Sequence, residues 1–327
     1  MDILITGATG FVGTHLRHHL LEQTDWRLIG TVYPPAATVL PNSEREELVA
    51  LDLRDASATR ALLERVRPEG IVHLAAQSHI PTAYRDPWNT IENNVRAQLN
   101  LLRACVELGI APRVVIIGSG EEYGRAGANE LPLTENHPLR PENPYSVSKV
   151  AQDVLGYQYY ASYALPVVCM RPFNHTGPGQ SERFVLPAFA AQIARIEQGL
   201  QPAVLRVGNL DPARDFTDVR DVVKAYHFAL LFGRPGEAYN VASGEPRQIG
   251  WLLQQLQALA TVEIEIVVDP ERYRPVDVPV IYGDAAKLTR DTGWTRAIDI
   301  HQTLADVLSE WRDLIATGES NKVSEGS

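Results

Sequence analysis

The chain has 327 residues, 45% hydrophobic and 21% charged, which is ordinary for a globular protein and enough for one large core or two modest ones. A formal charge of -10 with no Lys/Arg-rich block excludes a surface that tracks nucleic-acid phosphates, so an anionic ligand has to be met by a few placed arginines. The two cysteines, Cys105 and Cys169, sit in apolar runs and read as packing residues, and the nine histidines are dispersed; neither a disulfide framework nor a metal site is expected.

Residues 1–7 enter a strand at once, leaving no room for a leader's charged and apolar regions. No apolar stretch reaches about 18 residues, so a cytoplasmic protein away from membranes is expected. Strand-like and helix-like segments then alternate. Strands are predicted at 3–6, 27–32, 48–51, 71–74, 114–117 and 167–170, separated by helices at 11–22, 58–66, 87–108 and 144–163. Val12, Leu16 and Leu20 make one face of the first helix; Ile91, Val95, Leu99, Leu102 and Val106 read as the core stripe of the long one. This is the α/β pattern of a doubly wound parallel sheet, the Rossmann fold. Composition shifts to Gly, Pro and polar residues after Phe173. The expected division is a dinucleotide-binding domain over 1–173, rejoined by 218–243, a smaller C-terminal substrate lobe from 174–217 and 244–316, and a disordered tail over 317–327.

Three loops fall at strand C-termini, the rim where such sheets bind ligands. Gly7-Ala8-Thr9-Gly10-Phe11-Val12-Gly13 lies between the first strand and first helix, where glycines permit close backbone approach and the helix N-terminus favours a pyrophosphate. Asp52-Leu53 follows the third strand, with Asp52 placed to accept from an adenine amino group. Leu74-Ala75-Ala76-Gln77-Ser78 follows the fourth, small enough for a cofactor to lie on its backbone. Tyr145 and Lys149 stand one helical turn apart, and an ammonium beside a phenol is expected to draw the tyrosine pKa down into an acid/base range.

Together with Asn94, Val95 and Ser119, these motifs resemble the extended short-chain dehydrogenase/reductase family across nearly the whole chain. The resemblance implies NADPH or NADH on the first domain, with Asn94 and Phe173 joining the cofactor contacts, and a nucleotide-sugar on the second. It makes Ser119, Tyr145 and Lys149 catalytic: Ser119 holds the reacting oxygen, Tyr145 exchanges its proton, Lys149 holds the nicotinamide ribose. A narrower similarity comes from Arg171-Pro-Phe-Asn-His-Thr-Gly-Pro-Gly-Gln180, residues 207–216, Tyr273-Arg-Pro-Val-Asp-Val278 and residues 283–288. These resemble the branch of GDP-mannose 4,6-dehydratases and GDP-4-keto-6-deoxy-D-mannose reductases, implying a GDP-sugar near Ser78, His79, Glu121, Asn174, Arg214, Arg274 and Asp277. A homodimer through the two long helices is implied by the same analogy.

The run Gly118-Ser-Gly-Glu-Glu-Tyr-Gly124 bears on which reaction is run. Dehydratases of the branch follow the Ser/Thr with a polar residue and a glutamate base; here Glu121 occupies the glutamate position while Gly120 supplies no side chain. The paired arginines that the dehydratases carry after the second strand are replaced by Tyr33-Pro-Pro-Ala-Ala. The expected activity is therefore reduction of the C4 ketone of GDP-4-keto-6-deoxy-D-mannose to GDP-D-rhamnose. The alternatives are the 4,6-dehydratase, a 4-epimerase, and a non-catalytic NAD(P)-sensing regulator. NADH and NADPH stay unseparated at this point.

Overall fold

A computed structural model describes residues 1–34, 43–270 and 278–318. In chain order the first half contains β1 (Asp2–Thr6), α1 (Phe11–Gln23), β2 (Arg27–Val32), β3 (Glu46–Ala50), α2 (Ala56–Val66), β4 (Gly70–His73), α3 (Ile80–Arg85), α4 (Pro87–Glu107), β5 (Arg113–Ile117), α5 (Pro144–Tyr163) and β6 (Val167–Pro172). The second half contains β7 (Asn174–Thr176), α6 (Val185–Glu197), β8 (Val204–Val207), β9 (Ala213–Asp218), α7 (Val219–Phe232), β10 (Ala238–Val241), β11 (Pro246–Gln248), α8 (Ile249–Ala258), β12 (Glu265–Val268), β13 (Val280–Ile281), α9 (Ala286–Thr292) and α10 (Ile300–Thr317).

Seven strands pair in parallel in the order β10-β6-β5-β4-β1-β2-β3. Strands buried on both faces have to be apolar throughout, and Ile3, Leu4, Ile5, Val114, Val115 and Ile116 are all fully buried. Helices α1 and α7 cover one face with Leu16, Leu20, Val222 and Tyr226; α2, α4 and α5 cover the other with Leu63, Leu101 and Tyr159. The order reverses between β1 and β4, which opens a crevice above their C-terminal ends.

The remaining strands are short apart from the six-residue β9. β11, β9 and β13 form a mixed sheet with β7 attached to β9, and β12 pairs with β8. Their core is separate: Leu186, Phe189 and Ile193 of α6 meet Leu252 and Leu256 of α8 and Leu304, Val307 and Trp311 of α10.

Two expectations need correction. The expected stripe of α4 holds only in part: Leu102 is buried and Val106 packs against the core, but Ile91 and Val95 are half-buried and Leu99 is exposed. The rest of the buried face is Thr90, Asn94, Ala97, Gln98, Leu101, Ala104 and Cys105, because α4 packs between α2 and α5 partly through hydrogen bonds such as Gln98 Nε2 to Gln152 O at 2.7 Å. The third strand starts at Glu46, whose buried carboxylate meets Arg17 of α1.

Candidate active site

The Gly-rich loop turns on glycines that nothing else could replace. Gly7 adopts φ +67°, and a Cβ on Gly13 would sit 2.2 Å from the Gly7 carbonyl oxygen. Gly10 caps α1 with no side-chain hydrogen bond, and no acidic residue stands in the first turn, so the helix N-terminus is open to an anion. Beside it, Thr6 Oγ1 accepts from Ala75 N at 3.1 Å and pairs with His73 Nδ1 at 2.8 Å, fixing the backbone at Ala75 and Ala76. Burial pushes the His73 imidazole down to about 3, so it stays neutral. Asn94 is fully buried and clamps the next peptide from both sides: Gln77 N donates to its Oδ1 at 2.7 Å, and its Nδ2 donates to Gln77 O at 3.1 Å. The same Nδ2 reaches Ser148 Oγ at 2.9 Å, tying this loop to α5. A glycine cradle, an uncapped helix end and a clamped small-residue loop together fit a dinucleotide.

At the adenosine end the arrangement differs from expectation. Asp52 is committed to Arg54, which donates from Nε at 3.0 Å and from Nη2 at 2.7 Å. Arg54 Nη2 also reaches the Tyr33 hydroxyl at 2.8 Å, and the guanidinium lies 5.6 Å from the Tyr33 ring centroid. That side-chain bond holds Asp52 below the usual carboxylate range. Arg54 is the rim cation that sequence reading overlooked, although its place two residues after Asp52 was the available signal.

Ser119 follows β5 by two residues and caps a short 3-10 turn, Gly120–Tyr123, accepting from Glu121 N at 3.2 Å. Its hydroxyl is hydrogen-bonded to that of Tyr145. Asn143 caps α5 by accepting from Ser146 N at 2.8 Å, and Pro144 begins the helix, so Tyr145 faces Ser119 from the first turn. Glu121 is half-buried, with Asn143 Nδ2 3.4 Å from its Oε2. Lys149 is almost wholly buried and donates to Ile117 O at 2.8 Å, 5.9 Å from the Tyr145 ring centroid.

The expected lowering of the tyrosine pKa is reversed. Burial raises Tyr145 above the ordinary phenol range, opposed by the Ser119 hydrogen bond, because the Lys149 ammonium is turned to a carbonyl of the neighbouring strand. Lys149 itself is pushed down to about 8 by burial.

Gly120 packs against Phe173: a Cβ there would stand 3.0 Å from the ring, and one at Gly283 only 2.2 Å. Phe173, expected to touch the cofactor, is 4% exposed and belongs to a small core with Tyr123, Leu133, Ala242 and Ile281. Of the expected substrate residues, His79 caps α3 and pairs with Thr82 Oγ1 at 3.0 Å, Ser78 precedes it, and Asn174 is exposed at the start of β7. Arg214 Nη1 donates to Ala213 O and Val278 O at 2.9 and 2.7 Å. Arg274 and Asp277 lie outside the described residues. Among the described residues no group of three His, Cys, Asp or Glu could hold a metal ion.

Glu122 was also passed over. It is fully buried, and its Oε1 accepts from Ser119 N at 2.7 Å. The spacing Ser119-x-x-Glu122 is a capping-box signature that could have flagged it.

The family model described as GDP-mannose 4,6 dehydratase matches residues 4–307. The chain belongs to the GDP-mannose 4,6-dehydratase family. Within that family's reach, a GDP-6-deoxy-D-mannose reductase of Pseudomonas aeruginosa is 39% identical over 96% of this chain and 98% of its own length. A GDP-mannose 4,6-dehydratase of Vibrio cholerae is 28% identical, covering 94% and 92%. The solved structure of RMD from Pseudomonas aeruginosa complexed with NADPH superposes with a TM-score of 0.84 at 36% identity, covering 95% of this chain and 99% of that one. The seven-stranded sheet flanked by helices is thus the extended short-chain dehydrogenase/reductase architecture of the family.

Proposed function

We propose that this chain is the reductase of the family's chemistry, converting GDP-4-keto-6-deoxy-D-mannose and NAD(P)H to GDP-D-rhamnose. The observation that carries the reading is Phe173 filling the space beside Gly120, so that position 120 offers Glu121 no polar side chain with which to complete an elimination apparatus. The 39% identical relative named GDP-6-deoxy-D-mannose reductase supports the same choice.

Bound NAD(P)H supplies the hydride to C4. The remaining work falls to side chains: Ser119 and Tyr145 hydrogen-bond the ketone oxygen, and Tyr145 gives it a proton as negative charge develops. Burial holds Tyr145 above its usual range, so it arrives as a phenol carrying the proton it gives. Lys149, its ammonium 5.9 Å from the Tyr145 ring centroid, would hold the nicotinamide ribose. Thr9, Phe11 and Val12 in the Gly-rich turn, with Gly7, Gly10 and Gly13, would hold the pyrophosphate, and Leu53 and Leu74 would border the adenosine. Arg54 beside Tyr33 is the group suited to a 2′-phosphate, which favours NADPH.

The test is direct: the keto-sugar plus NADPH should consume cofactor and give GDP-D-rhamnose, while GDP-mannose alone should stay unchanged. Turnover of GDP-mannose without added cofactor would establish the dehydratase instead. Glu121 at the family's base position is what favours that second reading.

The proposal extends to a cytoplasmic homodimer joined through α4 and α5. These helices leave Trp88, Leu99, Val147, Val154, Tyr157 and Tyr163 exposed, an apolar surface that a second copy would cover. A monomer mass by light scattering would end the dimer proposal, and fractionation to another compartment would end the cytoplasmic one.

A further inference from the structure

Two ionisable side chains grip the backbone at the end of β5 from opposite sides. Lys149 Nζ donates to the Ile117 carbonyl at 2.8 Å, and Glu122 Oε1 accepts from the Ser119 amide at 2.7 Å. Between them lies Gly118, where a Cβ would stand 2.3 Å from that Glu122 oxygen, so the carboxylate can occupy its place only because residue 118 has no side chain. Glu122 is fully buried, and its second oxygen has no hydrogen-bond partner; the nearest cation is Arg171 Nε at 3.5 Å. Arg171 instead gives its close contact, 2.8 Å, to Asp153 of α5. A buried carboxylate with one oxygen hydrogen-bonded and the other held only by a 3.5 Å ion pair is costly, and nothing about capping a single 3-10 turn demands a full carboxylate there.

We propose that Glu122 is a positioning residue for the reaction, which fixes the Ser119 backbone through its amide and keeps the Lys149 ammonium charged beside Tyr145. The proposal rests on the reading of Ser119, Tyr145 and Lys149 as the reacting trio.

The groups facing this site from each element are few. From α5 come Lys149, Asp153 and Tyr145; from β6 come Arg171 and Cys169; on the turn itself are Glu121 and Tyr123; and His73 of β4 faces Lys149. Glu122 is the charge that supports the Lys149 ammonium against burial. Burial and the neighbouring Asp153 carboxylate push Glu122 up to about 8, and burial pushes Lys149 down to about 8. When the first proton leaves Glu122, the carboxylate that remains raises the affinity of Lys149 for its own proton. The ammonium then survives to a higher pH than an isolated buried lysine would allow. Replacing Glu122 with a neutral side chain removes that support.

The experiment compares Glu122→Gln and Glu122→Leu with wild type from pH 6 to 9.5, reading both NADPH affinity by nucleotide fluorescence and kcat/KM on the keto-sugar. Glutamine keeps an acceptor for the Ser119 amide but carries no charge. Its alkaline limb should move down by about one pH unit in both readouts, a roughly tenfold loss at pH 8.5 that nearly vanishes at pH 6.5. Leucine removes the acceptor too, and should lose turnover at every pH. Asp153→Asn releases Arg171 toward Glu122 and should move the limb the opposite way, which keeps the idea testable where Glu122→Leu does not fold. A Glu122→Gln limb coincident with wild type, with only the melting temperature lowered, would reduce Glu122 to a structural part. NADPH binding is read without substrate, so a wild type that binds NADPH but ignores the keto-sugar would overturn the proposed reaction and leave the Glu122 arm standing.

Discussion

The rim of the parallel sheet and the C-terminal lobe are built by different means. On the rim, regular strands of four to six residues deliver side chains that buried polar groups then lock: Asn94 onto Gln77, Thr6 onto Ala75, Lys149 onto Ile117. In the lobe β7 and β11 run to three residues and β13 to two around the six-residue β9, and besides the apolar core of α6, α8 and α10 one carboxylate gathers the loops. Asp215, with no exposed surface, accepts from Ser243 N, Ser243 Oγ, Gly244 N and Gly283 N at 2.7, 2.6, 3.0 and 3.2 Å. Regular backbone can hold a few atoms to the tolerance that proton transfer needs. A lobe that recognises a ligand can instead be assembled from converging loops, provided one anchor gathers their amides.

If the rim is a preset chemical device, removing one oxygen should silence it without loosening it. Tyr145→Phe is expected to cut kcat by about 10²–10⁴-fold while NADPH affinity and the melting temperature stay near wild type. Retention of most turnover would show that another group supplies the proton. If the lobe hangs on one anchor, Asp215→Ala should behave in the opposite way. Four donors lose their acceptor, each unsatisfied group costing about 1–3 kcal/mol, so a loss of about 3 kcal/mol or more in urea unfolding is expected, with substrate affinity lost before NADPH affinity. Equal loss of both ligands would show that the two regions fail together.

The same contrast governs what could be read from the residues alone. The alternation of apolar runs and amphipathic helices placed β2 and α5 at their observed bounds, because a strand buried on both faces and a helix opened by Asn143-Pro144 leave plain local signals. α6 was not foreseen. Leu186, Phe189, Ile193 and Ile196 are buried against α8 and α10, while the less-buried Val185, Ala188, Gln192 and Arg195 recur at helical spacing on the other side, so the period was present and went unread among the Gly, Pro and polar residues that precede it. Strands as short as β11 and β13 carry no period at all. At the site, the positions of Ser119, Tyr145 and Lys149 were legible, but their electrostatics were not. The i, i+4 spacing pointed to an ammonium lowering a phenol, whereas Lys149 spends its proton on the adjacent strand and burial dominates both groups. Glu122 could be seen as a cap; its burial with Arg171 and Asp153 depends on residues brought in from α5 and β6.

Phe173 links the two regions, since its ring closes on Gly120 of the rim and on Gly283 of the lobe. Gly120→Ser therefore probes whether they are independent. A side chain inserted against a ring confined on its far side is expected to cost about 1–3 kcal/mol, because neither neighbour can give. Turnover should fall modestly, and no keto-sugar should form from GDP-mannose. Appearance of that product would mean that the missing polar group alone separated this chain from a dehydratase.

The smallest effect concerns acid. His19 Nε2 and His227 Nδ1 lie 3.0 Å apart, linking α1 to α7 on the sheet side, and the His227 ring is edge-on to Trp26. Burial holds His227 down at about 4, with His19 acting in the same direction. The unfolded imidazole binds its proton near 6.5, so between 6.5 and 4 the unfolded chain holds more protons than the folded one. Stability is therefore intact above 6.5 and declines as pH falls, with a slope approaching about 1.4 kcal/mol per pH unit from this group. From pH 6.5 to 5.5, wild type should lose about 1 kcal/mol more than His227→Phe, read from urea midpoints at each pH. The aromatic replacement keeps the packing against Trp26 and removes the titration together with the pH-independent contact to His19, so the slopes and not the midpoints themselves are compared. Parallel pH slopes for the two proteins would mean that the acid sensitivity of the sheet side arises elsewhere, with buried His73 beneath the Gly-rich loop the next residue to vary.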